Sequence, residues 1–246
     1  PQVAAARRAN LQAIMDGHRA LCATCVRQDT CALRFLSSTF NVQDADEALP
    51  VPEPWDADFP LQRDNSKCIK CMRCVAICDK VQHCGVWDFT GVGPSMKVIV
   101  RDNLPIADAG CALCGQCITH CPTGALRERD DTAKAYSALG AEGKVTIVQI
   151  APAVRAAWGE AFGMPTGRAT VGQLVAALRS LGADYVFDTT FSADLTIMEE
   201  GTELLQRLNA GDLKDQPMFT SCCPAWIRFV KGQYPAYTPN PSTAKS

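Results

Sequence analysis

Two runs of cysteine, "CIKCMRCVAIC" at residues 68–78 and "CALCGQCITHC" at residues 111–121, constrain this chain more than any other feature. Each has the spacing C-x2-C-x2-C-x3-C, and the second is followed at once by Pro122. Thiols brought together this closely by local turns need a metal group to surround. Tight C-x2-C-x2-C turns aim three thiolates at one iron-sulfur cubane, while the fourth cysteine, past the turn, reaches a neighbouring cubane. On that pattern Cys68, Cys71, Cys74 and Cys121 hold one 4Fe-4S cluster, and Cys111, Cys114, Cys117 and Cys78 hold another. Zinc is the competing reading, but its sites normally use two separated C-x2-C pairs rather than an unbroken triplet.

The two runs form an internal repeat, the mark of a pseudo-twofold ferredoxin module. Fourteen cysteines in 246 residues are too many for packing alone. Disulfides would need an oxidising compartment, yet the start, "PQVAAARRANLQAIMDGH", has two arginines and no long apolar run. A reducing, cytoplasmic setting is expected. No stretch approaches the roughly 18 apolar residues of a membrane span, and a net charge of -2 makes no electrostatic case for nucleic acid. The chain begins at proline and stops at "NPSTAKS" without a terminating pattern, which is expected of a segment of something longer.

Ahead of the repeat, "HRALCATCVRQDTC" offers His18, Cys22, Cys25 and Cys31 in the pattern H-x3-C-x2-C-x5-C. A helical segment before it sets Ala5, Leu11, Ile14 and Met15 on a rough apolar stripe, so that His18 leaves the helix end. Three cysteines and one histidine suit tetrahedral zinc, but the company of two cubanes favours a third iron-sulfur cluster over that reading. The acidic, proline-rich stretch at residues 41–62 reads as a linker wrapping over a neighbour. Between the runs, "MKVIVR" alternates as a strand and "GVGP" marks a turn. Cys84 is left over as a packed thiol, and His120 is expected beside a cluster as a hydrogen-bond donor.

After residue 130 strand and helix patterns alternate: "KVTIVQIAP", "AVRAAWGEAF", "TVGQLVAALRSLG", "DYVFDTT" and "ADLTIMEEGTELLQRLNAG". Val171, Leu174, Val175 and Leu178 share one helical face, with Gly182 as its stop, and Gly211 closes the next helix. This alternation predicts the beginning of a parallel α/β sheet. There is no phosphate-cradling P-loop and no G-x-G-x-x-G, so a nicotinamide or flavin site is expected on another chain. "FTSCCPAW", residues 219–226, then falls at a strand end leading into the helix "AWIRFV", where open α/β sheets place their chemistry.

"TSCCPAW", preceded by "ADLTIMEEGTELLQR" and followed by "STAKS", resembles the first signature of the catalytic domain of FeFe hydrogenases. The first 130 residues also resemble the large iron-sulfur subunit of NADH dehydrogenases, as multi-subunit NAD-linked hydrogenases do. The resemblance implies three 4Fe-4S clusters, at His18 and at the two runs, relaying electrons to an H-cluster, a 4Fe-4S cubane joined to a diiron site with CO, CN and a bridging dithiolate. Cys223 would bind its cubane half and Cys222 would pass protons, with Glu200, Glu203, Ser242 and Arg207 forming the path to the surface. On helical spacing alone, Glu200 and Glu203 read equally as a solvated face. Ala151, Pro152 and Ala153 would lie at the diiron site, Ala153 replacing a serine that in many members hydrogen-bonds a cyanide. The other three cubane cysteines and a cyanide-holding lysine belong to later motifs outside this chain.

The implied activity is reversible interconversion of H2 with protons and electrons. The implied partners are the remainder of the hydrogenase domain and either ferredoxin, or a flavin- and NAD(P)-binding iron-sulfur subunit with a small 2Fe-2S subunit, or both. The expected fold is α+β: a small cluster domain and linker (residues 1–62), a ferredoxin-like double-cubane domain (63–135) and the N-terminal part of the catalytic domain (136–246). Two rivals remain: an electron-transfer subunit of an NADH-dehydrogenase-like complex, and a hydrogenase-like iron-sulfur assembly factor. Cys222, paired with Cys223, argues against both.

Overall fold

The computed structural model describes residues 1–42, 51–165, 167–213 and 217–244. Part of the acidic linker, residues 43–50, and the last two residues of "STAKS" lie outside that set. The chain divides into two compact units: Pro1–Arg129 with Pro224–Thr238, and Asp130–Cys223 with Pro239–Ser246.

The first unit opens with helix α1 (Gln2–Asp16) and helix α2 (Ala32–Thr39). Leu11 and Met15 bury against Leu33, but Ile14 stays exposed, so the apolar stripe of α1 is narrower than expected. Strand β1 (Leu61–Arg63), helix α3 (Arg73–Ala76), strands β2 (Trp87–Thr90) and β3 (Lys97–Val100), helix α4 (Gln116–His120) and strand β4 (Leu126–Glu128) make the ferredoxin-like part. β1 pairs antiparallel with β4, Leu61 opposite Glu128, and β2 with β3, Trp87 opposite Val100. Phe59, Leu61, Val86, Trp87, Val98, Val100, Ile106 and Leu126 form the core between the two ribbons, and the buried Cys78, Cys117 and Cys121 belong to the same cluster. The linker contributes Trp55, whose ring stacks on Trp87 at 6.0 Å. Gly124 has φ +69°, and a Cβ there would meet Val26 at 3.0 Å and Cys25 Sγ at 3.4 Å, so only glycine lets the first cysteine group approach the second run this closely.

The second unit holds helix α5 (Thr132–Leu139), strand β5 (Ile147–Ile150), helix α6 (Pro152–Ala157), helix α7 (Val171–Ser180), strand β6 (Tyr185–Asp188) and helix α8 (Thr189–Ala210). β5 and β6 are parallel, as the strand–helix alternation predicts, with Ile147 opposite Tyr185 and Ile150 opposite Asp188. α7 starts at a capping box: Thr170 Oγ1 accepts from Gln173 N–H at 3.3 Å, and Gln173 Oε1 accepts from Thr170 N–H at 2.9 Å. α8 ends at Gly211, whose φ of +79° is the left-handed cap that a β-carbon disfavours. The segment before the paired cysteines is less regular than expected: Phe219 makes only an isolated parallel bridge to Pro241. Helix α9 (Pro224–Gln233) follows and packs in the first unit.

Candidate functional site

The two cysteine runs fold alike. In the first, Lys70 and Met72 take left-handed backbone angles (φ 58° and 61°), and in the second Leu113 and Gly115 do so (φ 57° and 72°). Such angles are unfavourable for residues with a β-carbon, and here they turn backbone N–H groups inward. Lys70 N–H donates to Cys68 Sγ at 3.4 Å, Leu113 N–H to Cys111 Sγ at 3.4 Å, and Val86 N–H to Cys78 Sγ at 3.3 Å. Hydrogen bonds of this kind stabilise a thiolate.

One cavity is lined by Cys68, Cys71, Cys74 and Cys121, together with Arg63, Trp87 and Thr123. The other is lined by Cys111, Cys114, Cys117 and Cys78, with Cys84 and again Trp87. Each therefore gathers three thiols of one run and the fourth of the other. Burial, aided by Cys68 nearby, pushes the Cys74 thiol up to about 12. Burial likewise carries Cys117 to about 12 against a hydrogen bond from Trp87, and Cys84 to about 11. Four thiolates cannot share such a space without cations, which a four-iron cage supplies, so the donor set fits a 4Fe-4S cluster. Among the described residues, no three His, Cys, Asp or Glu side chains converge as ligands of one metal ion.

His18 is buried, and its Nδ1 lies 3.0 Å from the Lys67 carbonyl, next to Cys68 in the chain. Cys25 Sγ donates to the Thr123 carbonyl at 3.8 Å, two residues past Cys121. Cys22 begins a short 3-10 turn, and Cys31 caps α2, accepting from Arg34 N–H at 3.5 Å. His120 is exposed, and its Nδ1 lies 2.8 Å from the Gln116 carbonyl of its own helix.

In the second unit, Cys222 and Cys223 are exposed while the preceding Ser221 is buried. Glu200 Oε1 accepts from the Ser221 N–H at 2.9 Å and its hydroxyl at 3.2 Å. The Ser221 hydroxyl also donates to the Ala244 carbonyl, and Ala244 N–H donates to Ser242 Oγ at 3.1 Å. The Ser242 hydroxyl donates to Glu203 Oε2 at 2.6 Å, where Thr243 N–H also arrives at 3.0 Å, and Arg207 reaches Glu203 Oε1 at 2.5 Å. Burial would raise the Glu203 pKa, but the bonds from Ser242, Thr243 and Arg207 outweigh it and hold the carboxyl below its ordinary range. Glu200 with Ser221, and Glu203 with Ser242 and Arg207, thus form two hydrogen-bonded groups bridged by the Ala244 main chain; sequence reasoning passed over Ser221 although it stands beside Cys222. Ala151, Pro152 and Ala153 lie apart from this chain, exposed at the start of α6.

α8 is inverted relative to an ordinary surface helix. Glu200, Glu203 and Arg207 are half-buried, whereas Leu195, Ile197, Met198, Leu204, Leu205 and Leu208 are exposed. In the first unit, Arg228 of α9 donates through Nε to the Cys111 carbonyl at 2.8 Å. No helix among the described residues is long and apolar enough to cross a membrane.

Two thiol-lined cavities on a ferredoxin-type fold, joined in one chain to a mixed helix–strand unit with a carboxylate network, define an iron-sulfur protein of hydrogenase type. Residues 67–125 match the 4Fe-4S dicluster domain, and residues 144–246 match the C-terminal domain of the iron-only hydrogenase large subunit. Through these two domains the chain resembles the FeFe hydrogenases. It is 43% identical over 247 residues to NADP-reducing hydrogenase subunit HndD of Solidesulfovibrio fructosivorans, covering 98% of this chain and 42% of that protein. It is 38% identical over 243 residues to iron hydrogenase 1 of Clostridium pasteurianum, covering 97% of this chain and 42% of that one. Cytosolic iron-sulfur assembly component 3 of Bos taurus also matches, at 28% identity over 61% of this chain and 33% of its own length. The chain thus spans less than half the length of the two hydrogenase relatives.

Proposed function

We propose that this chain supplies the electron relay and the proton path of an FeFe hydrogenase that interconverts H2 with protons and electrons. Three 4Fe-4S clusters would carry electrons: one at His18, Cys22, Cys25 and Cys31, one at Cys68, Cys71, Cys74 and Cys121, and one at Cys111, Cys114, Cys117 and Cys78. The contacts of His18 with Lys67 and of Cys25 with Thr123 support the first lying next to the second in the relay. Cys223 would hold the cubane half of the H-cluster, and the rest of the catalytic domain would supply its other ligands. When bound, the H-cluster supplies the two-electron chemistry, H2 giving two protons and two electrons.

The residues of this chain then move the charge. Cys222 would relay each proton, its sulfur giving one up on one side and gaining the next on the other. Glu200, hydrogen-bonded by Ser221, and Glu203, hydrogen-bonded by Ser242, would hand it outward, with Arg207 holding Glu203 in place. The hydrogen bonds of Glu200 with Ser221, the neighbour of Cys222, and of Glu203 with Ser242 and Arg207 carry this reading, because carboxylates turned inward on a helix whose leucines face out are not a solvated face. HndD is described as a subunit of an NADP-reducing hydrogenase, which supports a flavin- and NAD(P)-binding partner with a small 2Fe-2S subunit, alongside or in place of ferredoxin.

Cys222→Ser in the full-length protein should leave the six-iron site assembled while cutting turnover by about 10²- to 10⁴-fold, since a hydroxyl is a poor proton relay at neutral pH. Cys223→Ser should damage assembly, an alkoxide being a poor substitute for a soft thiolate on iron. Infrared bands of cyanide and carbonyl ligands report assembly, and hydrogen evolution reports turnover. Parent-like turnover in the first variant, or unshifted bands at full intensity in the second, would refute this division of labour.

A further inference from the structure

We infer that Arg63 sets the reduction potential of the cluster at Cys68, Cys71, Cys74 and Cys121, acting as a fixed positive charge in the wall of that cavity. The inference rests on the proposed ligand set and adds a residue with no place in the cysteine pattern. Arg63 is the last residue of β1 and lines the cavity together with all four of those thiols. Its guanidinium lies over two stacked indoles, 5.5 Å from the Trp55 ring centre and 5.8 Å from that of Trp87. Trp87 is 1% exposed, and Trp55 is pinned by its Nε1–H, which donates to the Leu61 carbonyl at 2.8 Å. A third restraint is the hydrogen bond from Arg63 to the Val98 carbonyl on β3. The charge is therefore held in place by stacking and by backbone, as a planar guanidinium allows and a flexible ammonium does not.

No carboxylate among the described residues forms an ion pair with it. Glu53, whose field reaches Arg63, is itself bonded to Lys97 Nζ at 2.8 Å. Burial lowers the Arg63 pKa while Glu53, Cys68 and Cys74 act in the opposite direction, and a guanidinium stays charged at neutral pH. Reduction adds one electron to the cluster, so a fixed cation at the wall favours the reduced form and raises the potential, net charge and burial being among the determinants of cluster potentials. The indoles also keep water from screening the interaction.

The test is a redox titration followed by EPR on the full-length protein loaded anaerobically, with the signal of this cluster identified by its loss in Cys71→Ala. Arg63→Gln should shift the midpoint of that signal to more negative potential and leave the other signals in place, and Arg63→Lys, which keeps the charge but not its stacked position, should shift it in the same direction by less. An unmoved midpoint in the Gln variant, or equal shifts in the Gln and Lys variants, overturns the inference. Should the Gln variant fail to take up this cluster, iron content decides: loading restored by Lys supports the role of charge, and loss in both shows that Arg63 only packs the indoles. A parent protein lacking the Cys71-dependent signal would refute the ligand reading itself, a result distinct from a cluster that is present and indifferent to Arg63.

Discussion

His18 shows how a single side chain can be aimed by one backbone acceptor. With Nδ1 bonded to the Lys67 carbonyl at 3.0 Å, the imidazole is held in the tautomer whose Nε2 carries the lone pair a metal needs. If it ligates iron, His18→Cys should preserve the cluster and lower its potential, because a thiolate adds negative charge where a neutral ring stood. His18→Ala should lose or destabilise that cluster alone. EPR-monitored titration distinguishes these results, and three unchanged signals in the Ala variant would remove His18 from the site. The gathering of the two cysteine runs was legible because residue type and spacing are written locally. Arg63 and Ser221 were not, since their partners, Val98 and Trp87 for one and Glu200 and Ala244 for the other, lie far away in the chain.

Among the elements, α8 departs furthest from the surface-helix pattern. Its apolar face, including Met198 and Leu205, is open, while its acidic face is hydrogen-bonded. The hydrogenase relatives are more than twice as long, and in the proposed enzyme the rest of the catalytic domain would cover that face. Leu205→Glu in the full-length protein should then forfeit about 2 kcal/mol of apolar burial and add the cost of an unpaired charge. The expected result is loss of the H-cluster infrared bands with the EPR signals of the relay clusters retained; full bands would show that the face is not covered. α7 was legible from its 3.6-residue period ending at Gly182, and α8 from a helical pattern closed by Gly211. β2 was not, because "VWDFT" becomes a strand only through its pairing with β3.

For the molecule as a whole, the cysteine assignments leave only Cys84 outside the proposed sites. The anaerobically loaded chain should contain about 12 iron and 12 sulfide, three cubanes in all. About eight iron with one zinc would identify the His18 group as a zinc site and shorten the relay to two steps. The two thiol-lined cavities share a design: each is walled by thiols drawn from both cysteine runs. When filled, they behave like paired clasps on one belt. Either cubane alone keeps the two runs fastened, and neither run can peel away while one clasp is shut. The first cluster lost to an oxidant opens nothing, but it leaves a single fastening on which the whole module hangs. Damage by oxygen should therefore progress slowly and then abruptly, with loss of the second cubane and unravelling of the fold arriving together.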